Sequence, residues 1–244
     1  MNYSWTDSQW LGFDTETTGV DVSLDHILTA SLIEYDPATA QADPKNWIID
    51  PGVEVPEKSI SVHGLTTEYI RTHGAAPAEA LEQIAQAIAL QAKDGSVLVA
   101  FNASYDIVIL NENLKRWNLR PLEDRINFDQ WTIIDPLICD RALCQYRKGK
   151  RTLDLVADYY HVEKPDQLHN AEVDTRVTLG ILRSLVDKYP QLRAMQGREV
   201  MMWQARQHAL WARGLNQWKQ KKGYGHPIDE QWGIAAMFGI VYDE

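Results

Sequence analysis

Nowhere in the 244 residues is there an apolar run approaching the ~18 that a membrane-spanning helix needs. The opening stretch, MNYSWTDSQW, lacks the basic-then-apolar order of a targeting segment, so a cytoplasmic location without a membrane partner is expected. Cysteine is scarce. Cys139 and Cys144, in CDRALC, stand five apart with no second Cys or His set at zinc spacing, which reads as structural rather than as a disulfide or zinc site. There is no internal repeat and no low-complexity linker. Net positive charge is absent too, and −10 argues against indiscriminate coating of DNA.

What is present is an ordinary globular composition, 45% hydrophobic and 24% charged. The length allows one large domain or a core of roughly 190 residues with an appendage. Charge is distributed unevenly. Residues 191–226 hold Arg193, Arg198, Arg206, Arg213, Lys219, Lys221 and Lys222 against Glu199 alone, a local +6 that leaves −16 for the rest of the chain. A second basic knot, Arg147, Lys148, Lys150 and Arg151, lies in YRKGKR. Such patches permit contact with a phosphate backbone, while the acidic remainder is suited to hold metal ions.

Periodicity predicts strands over 8–14, 28–35 and 46–50, with turn chemistry in DPATAQADP between the last two. A helix follows over 76–95, a fully apolar buried strand over 96–101 and a helix over 104–118. A fifth strand is expected at 131–135, with Asp135-Pro136 as an N-cap and first helical position. Helices are expected over 136–146, 152–162 and 170–189. A meander followed by alternating strands and helices implies an α/β protein with a mixed sheet covered by helices. The one plausible boundary lies near Pro190, giving units 1–190 and 191–244.

Several carboxylates stand where apolar residues belong. In LGFDTETTGV, Asp14 and Glu16 share one face of a strand, where two unpaired carboxylates are costly to bury. A solvated strand end running into a Thr-Gly turn is the plain alternative. Asp106 lies on the same helical stripe as Ile109, Leu110, Leu114 and Trp117. Asp174 shares a stripe with Val177, Ile181 and Leu185. Either acid alone reads as a cap or a dipole partner. Four carboxylates aimed at one interior repel unless cations neutralise them, and all-oxygen ligands favour Mg²⁺ or Mn²⁺. His169, in QLHNAEVD, falls on a loop at the mouth of such a site with Asn170 as the cap of the next helix. An imidazole there is able to take a proton from an attacking water.

The ordered set D-T-E-T-T-G, V-H-G-L, N-A-S-Y-D and H-N-A-E-V-D resembles the DEDDh (DnaQ-like) 3′–5′ exonucleases, the family of the proofreading ε subunit of bacterial DNA polymerase III. The likeness covers about residues 8–188. It implies an RNase H-like fold with a five-stranded mixed sheet flanked by helices, Asp14, Glu16, Asp106 and Asp174 organising two divalent ions, and His169 as general base. Histidine five before the last Asp marks this branch; a branch with tyrosine four before it has its counterpart here at Asn170. Thr15 and neighbouring N–H groups are then expected at the terminal 3′-hydroxyl, and Thr17 is expected to bind substrate as well. His63 would sit under the terminal nucleotide, or else be a plain turn histidine. Asn102 is expected at the substrate, although Phe101 stands where the family commonly has histidine.

The implied reaction releases nucleoside 5′-monophosphates from DNA 3′ ends, single-stranded or frayed, for proofreading or end trimming. Trimming of RNA ends and a non-catalytic scaffold in a replication assembly are the alternatives, and a DNA polymerase subunit is a further partner the resemblance allows. In the extension, Trp203, Trp211 and Trp218 are spaced by eight and seven, on one face of a long helix interspersed with basic residues. A helical arm packed on the catalytic core, a grip on single-stranded nucleic acid and a docking element all fit that pattern.

Overall fold

The computed structural model describes residues 4–127, 131–165 and 168–240. Residues 1–3 of the opening stretch, Gln167 of the histidine motif and residues 241–244 of the extension lie outside them. Strand β1 (Trp10–Thr17) is buried along most of its length. It pairs antiparallel with β2 (Ile27–Tyr35), which pairs antiparallel with β3 (Ala42–Ile48). Helices α1 (Glu57–His63), α2 (Thr67–His73) and α3 (Pro77–Lys93) lead to β4 (Val97–Val99), parallel to β1. Next come α4 (Ala103–Arg116), α5 (Leu122–Arg125) and β5 (Thr132–Ile134), parallel to β4. Among the described residues the strands form one sheet of order β3-β2-β1-β4-β5. Strand β4 is apolar throughout because helices cover both faces of it.

Strand β1 runs to Thr17, past the expected end at 14, so both Asp14 and Glu16 lie on the strand itself. The register shifts between Glu16 and Thr17, a local irregularity of the kind that re-aims side chains beside a site. Strand β3 begins at Ala42 and stops at Ile48, displaced from the expected 46–50. Pro44 had marked that segment as a turn; it is tolerated because β3 is an edge strand.

After β5 the chain forms α6 (Pro136–Leu143), α7 (Leu153–Tyr159) and α8 (Ala171–Lys188). Helix α8 lies directly against β1. An ideal Cβ at Gly12 would stand 2.5 Å from Thr175 Cγ2 and 2.9 Å from Leu179 Cδ1, so glycine is what permits this approach. That contact brings the first turn of α8 beside the C-terminal end of β1. One apolar core lies under α3 and α4, and a second under α7 and α8.

The extension contains α9 (Pro190–Ala194), α10 (Gly197–Lys222) and α11 (Gly233–Met237). Met201, Ala205, Trp232, Ile234 and Ala235 join the core under α4. Burying each large apolar side chain contributes about 1.5–3 kcal/mol. The three tryptophans of the helix differ in surroundings. Trp203 packs against the second core, Arg141 stacks 3.7 Å over Trp211, and half-exposed Trp218 stacks on Tyr224.

Candidate active site

Two helix starts and one strand end converge. Asp14 and Glu16 come from β1, Asp106 from the first turn of α4 and Asp174 from the first turn of α8. Asp106 and Asp174 are only 3% and 7% exposed. A helix N-terminus favours an acid, but it does not favour four together. Burial pushes the Asp14 carboxyl well up, and Asp106, Glu16 and Asp174 repel it further. Glu16 is pushed up to about 8 by burial and then by Asp174 and Asp106. Burial lifts Asp106 to about 7 even though hydrogen bonds from Thr15 favour its ionised form. Asp174 is raised by burial as well, with His169 opposing. The four side chains are therefore buried close enough to repel one another.

His169 is exposed beside this cluster. One ligand atom each from Glu16, His169 and Asp174 lies within 4.8 Å of the other two. The His169 backbone sits in the left-handed region, φ +71°, where a residue with a Cβ is strained. Two contacts hold it there. Its N–H is shared between Asp174 Oδ1 and Oδ2, 3.2 Å each, and Asn170 next to it caps α8 by accepting from Glu172 and Val173 N–H. The donor set is carboxylate oxygen with one imidazole in reach, which fits Mg²⁺ or Mn²⁺.

The residues expected at the substrate make the following contacts within the protein. The Thr15 hydroxyl donates to Asp106 Oδ1 at 2.7 Å and so orients that carboxylate. Thr17 Oγ1 is 2.5 Å from Tyr105 Oη and donates to the Gly19 carbonyl at 2.7 Å, and so fixes the turn after β1. The loop at 18–26 is held further by Arg116, which donates to the Ser23 and Asp25 carbonyls. His63 ends α1. Its Nδ1 accepts from Leu65 N–H at 3.1 Å, so in the neutral ring Nε2 carries the hydrogen and donates to the Thr17 carbonyl at 3.2 Å. Burial, with His169 nearby, lowers the pKa of His63 and favours that neutral form. Asn102 is exposed at the start of α4, in the left-handed region at φ +66°, and its side chain makes no cap bond.

His63, Glu16 and His169 share a groove with about 200 Å³ of room, walled by Trp47, Leu65 and Tyr69. Asp135 escaped the sequence reading in one respect. Besides capping α6 through Leu137 N–H, it accepts from Asn102 N–H and Ala103 N–H at 3.0 Å each, and so caps α4 as well. Only the first role has a sequence signal. The basic knot is partly spent internally: Arg147 and Arg151 both pair with fully buried Asp140.

Residues 11–182 match RNase_T, a family of exonucleases. The chain belongs to this exonuclease family. It is 25% identical over 178 residues to a PolC-type DNA polymerase III of Lacticaseibacillus paracasei, covering 73% of this chain and 11% of that protein. It is 29% identical over 169 residues to the DNA polymerase III subunit epsilon of Buchnera aphidicola, 66% of each chain. Among solved structures it resembles exonuclease I in a study of how processivity is achieved, with a TM-score of 0.68 at 17% identity, over 82% of this chain and 44% of that one. Its likeness to E. coli exonuclease I in complex with a dT13 oligonucleotide has a TM-score of 0.65 at 18% identity, over 76% of this chain and 42% of that one. The chain thus spans less than half of the exonuclease I chain and about a ninth of the PolC protein. At these identities the structural likeness establishes the fold, which is RNase H-like.

Proposed function

We propose that the protein is a metal-dependent 3′–5′ exonuclease that removes nucleoside 5′-monophosphates from DNA 3′ ends. The observation that carries this reading is the convergence of Asp14, Glu16, Asp106 and Asp174, with pKa values raised by burial and mutual repulsion, in a chain of the exonuclease family. These four residues would hold two divalent ions. When bound, such ions neutralise phosphate charge and stabilise the attacking and leaving oxygens of an in-line displacement.

The chain's own residues carry the rest. His169 accepts a proton from the attacking water, a role typically worth 10²–10⁴-fold. The water oxygen bonds to phosphorus as the bond from phosphorus to the 3′-oxygen of the penultimate nucleotide breaks, and that oxygen takes a proton from solvent to become the new 3′-hydroxyl. Thr15 orients Asp106, and the bonded Thr17–Tyr105 pair fixes the turn that follows Glu16. Neutral His63 lines the groove that would take the terminal nucleotide, and Asn102 at the start of α4 is assigned to the substrate as well. Similarity to an exonuclease I bound to a dT13 oligonucleotide favours single-stranded DNA as the substrate, and similarity to polymerase III subunits favours a polymerase as partner.

The substrate is tested with 5′-labelled single-stranded DNA, its RNA equivalent and a mismatched primer–template, each incubated with Mg²⁺ or Mn²⁺. DNA shortening from the 3′ end faster than RNA is the expected outcome. Faster shortening of RNA would overturn the DNA assignment, and intact strands in every lane would favour a scaffold.

A further inference from the structure

Among the described residues strand β5 ends the sheet, and one row of its backbone N–H and C=O groups faces no neighbouring strand there. Helix α10 lies along that row. Gly197, Met201 and Gln204 are four and three residues apart, on one helical face, and each meets β5 in turn. At Gly197 an ideal Cβ would stand 2.4 Å from Thr132 Oγ1, which leaves little room for any other residue. The Ile133 N–H donates to Met201 Sδ at 3.1 Å. Gln204 Nε2 donates to the Ile133 carbonyl at 2.9 Å, and Gln204 Oε1 accepts from Asp135 N–H at 2.7 Å. One side-chain amide, 0% exposed, makes the donor–acceptor pair that a sixth strand would make.

The residue it grips matters for the site. Asp135 supplies the cap that Asn102 withholds from α4, and its carboxylate holds the left-handed Asn102 backbone in place. Asp106 follows Ala103 by three residues on that helix. We propose that Gln204, in the extension, is a positioning residue for the active site. It fixes the backbone of Asp135, Asp135 fixes the start of α4, and α4 aims Asp106. This inference rests on the reading of the four carboxylates as metal ligands. It makes the extension part of the catalytic machinery, where a mere cover for the sheet edge would serve stability alone.

Gln204→Met in the full chain keeps the length of the side chain and removes both hydrogen bonds. Mn²⁺ binding is measured by calorimetry, kcat and KM on single-stranded DNA by assay, and Tm by thermal unfolding. Groups that orient metal ligands typically carry 10–100-fold in affinity or activity. The expected result is weaker Mn²⁺ binding and lower kcat, each by about 10-fold, with KM for DNA unchanged. Met201→Leu strips the adjacent contact on Ile133 without touching Asp135, and is expected to lower Tm while Mn²⁺ binding stays at the wild-type value. If Gln204→Met lowers Tm alone, Gln204 is edge cover and the inference fails. Should that variant not fold, Asp135→Asn replaces one carboxylate oxygen with a donor at the start of α4 and is expected to weaken Mn²⁺ binding likewise; wild-type affinity there would also overturn the inference. A wild-type protein that binds no Mn²⁺ would overturn the metal reading itself, a result distinct from equal binding by wild type and variant.

Discussion

Glu16 and Asp106 have carboxyl pKa values raised from 4.5 to about 8 and from 3.8 to about 7. Unfolding returns both to their ordinary values, so the metal-free folded chain binds more protons than the unfolded chain across that window. The associated stability is fully present below about pH 4 and is lost as pH rises through about 7 to 8. Metal-free protein is therefore expected to melt at a lower temperature at pH 8 than at pH 5, and Mn²⁺ to oppose the loss by favouring the ionised carboxylates. Glu16→Gln should flatten the pH dependence. A Tm that stays level over this range in wild-type protein without metal would contradict the crowding of acids. His169→Ala should leave Mn²⁺ binding intact and cut the rate by 10²–10⁴-fold, read from single-turnover digestion. At this scale the acids were legible because each interrupts an apolar stripe or shares a strand face with another. The destinations of the Thr15 and Thr17 hydroxyls were not, since each bonds a residue about 90 positions away in α4.

Helix α8 reaches β1 only because Gly12 lacks a Cβ, and this contact sets Asp174 beside Asp14 and Glu16. Gly12→Ala forces Thr175 and Leu179 aside; overpacking of this kind costs about 1–3 kcal/mol. The expected outcome is a lower denaturation midpoint together with a larger loss of kcat than of DNA affinity. Asp140 holds another joint, accepting from Arg147, Arg151 and Tyr160 between α6 and α7. Asp140→Asn leaves two guanidiniums without their carboxylate and should destabilise by about 3 kcal/mol in urea unfolding. The long elements, α3, α4 and α8, were plain in the sequence because several turns of apolar period outweigh any single residue. Helices α1 and α2, at seven residues each, are too short for periodicity to declare them. Strand β3 was misplaced because Pro44 and Asp43 read locally as a turn, while pairing with β2 at the sheet edge decides the matter.

The molecule carries its net charge of −10 unevenly, and its architecture turns part of the basic excess inward. Arg147 and Arg151 neutralise buried Asp140 and Arg141 lies on Trp211, while at the surface Arg213 pairs with Glu230 at 3.0 Å. A sequence count of Lys and Arg thus overstates what faces a nucleic acid. A division was expected near Pro190; in space α10 and α11 contribute Met201, Trp232 and Ile234 to the core beneath α4. Nothing local in the sequence announces that Gln204 serves β5 as a neighbouring strand would, because its partners are defined only once the sheet edge exists. The central claim, that four converging carboxylates make a metal-dependent 3′–5′ exonuclease, is tested most directly by the species released from DNA labelled in its 3′-terminal nucleotide. The account predicts a labelled nucleoside 5′-monophosphate with Mg²⁺ or Mn²⁺, none with a chelator and none with Asp14→Asn. Release undiminished in Asp14→Asn, a 3′-monophosphate product, or no release with either ion would contradict it.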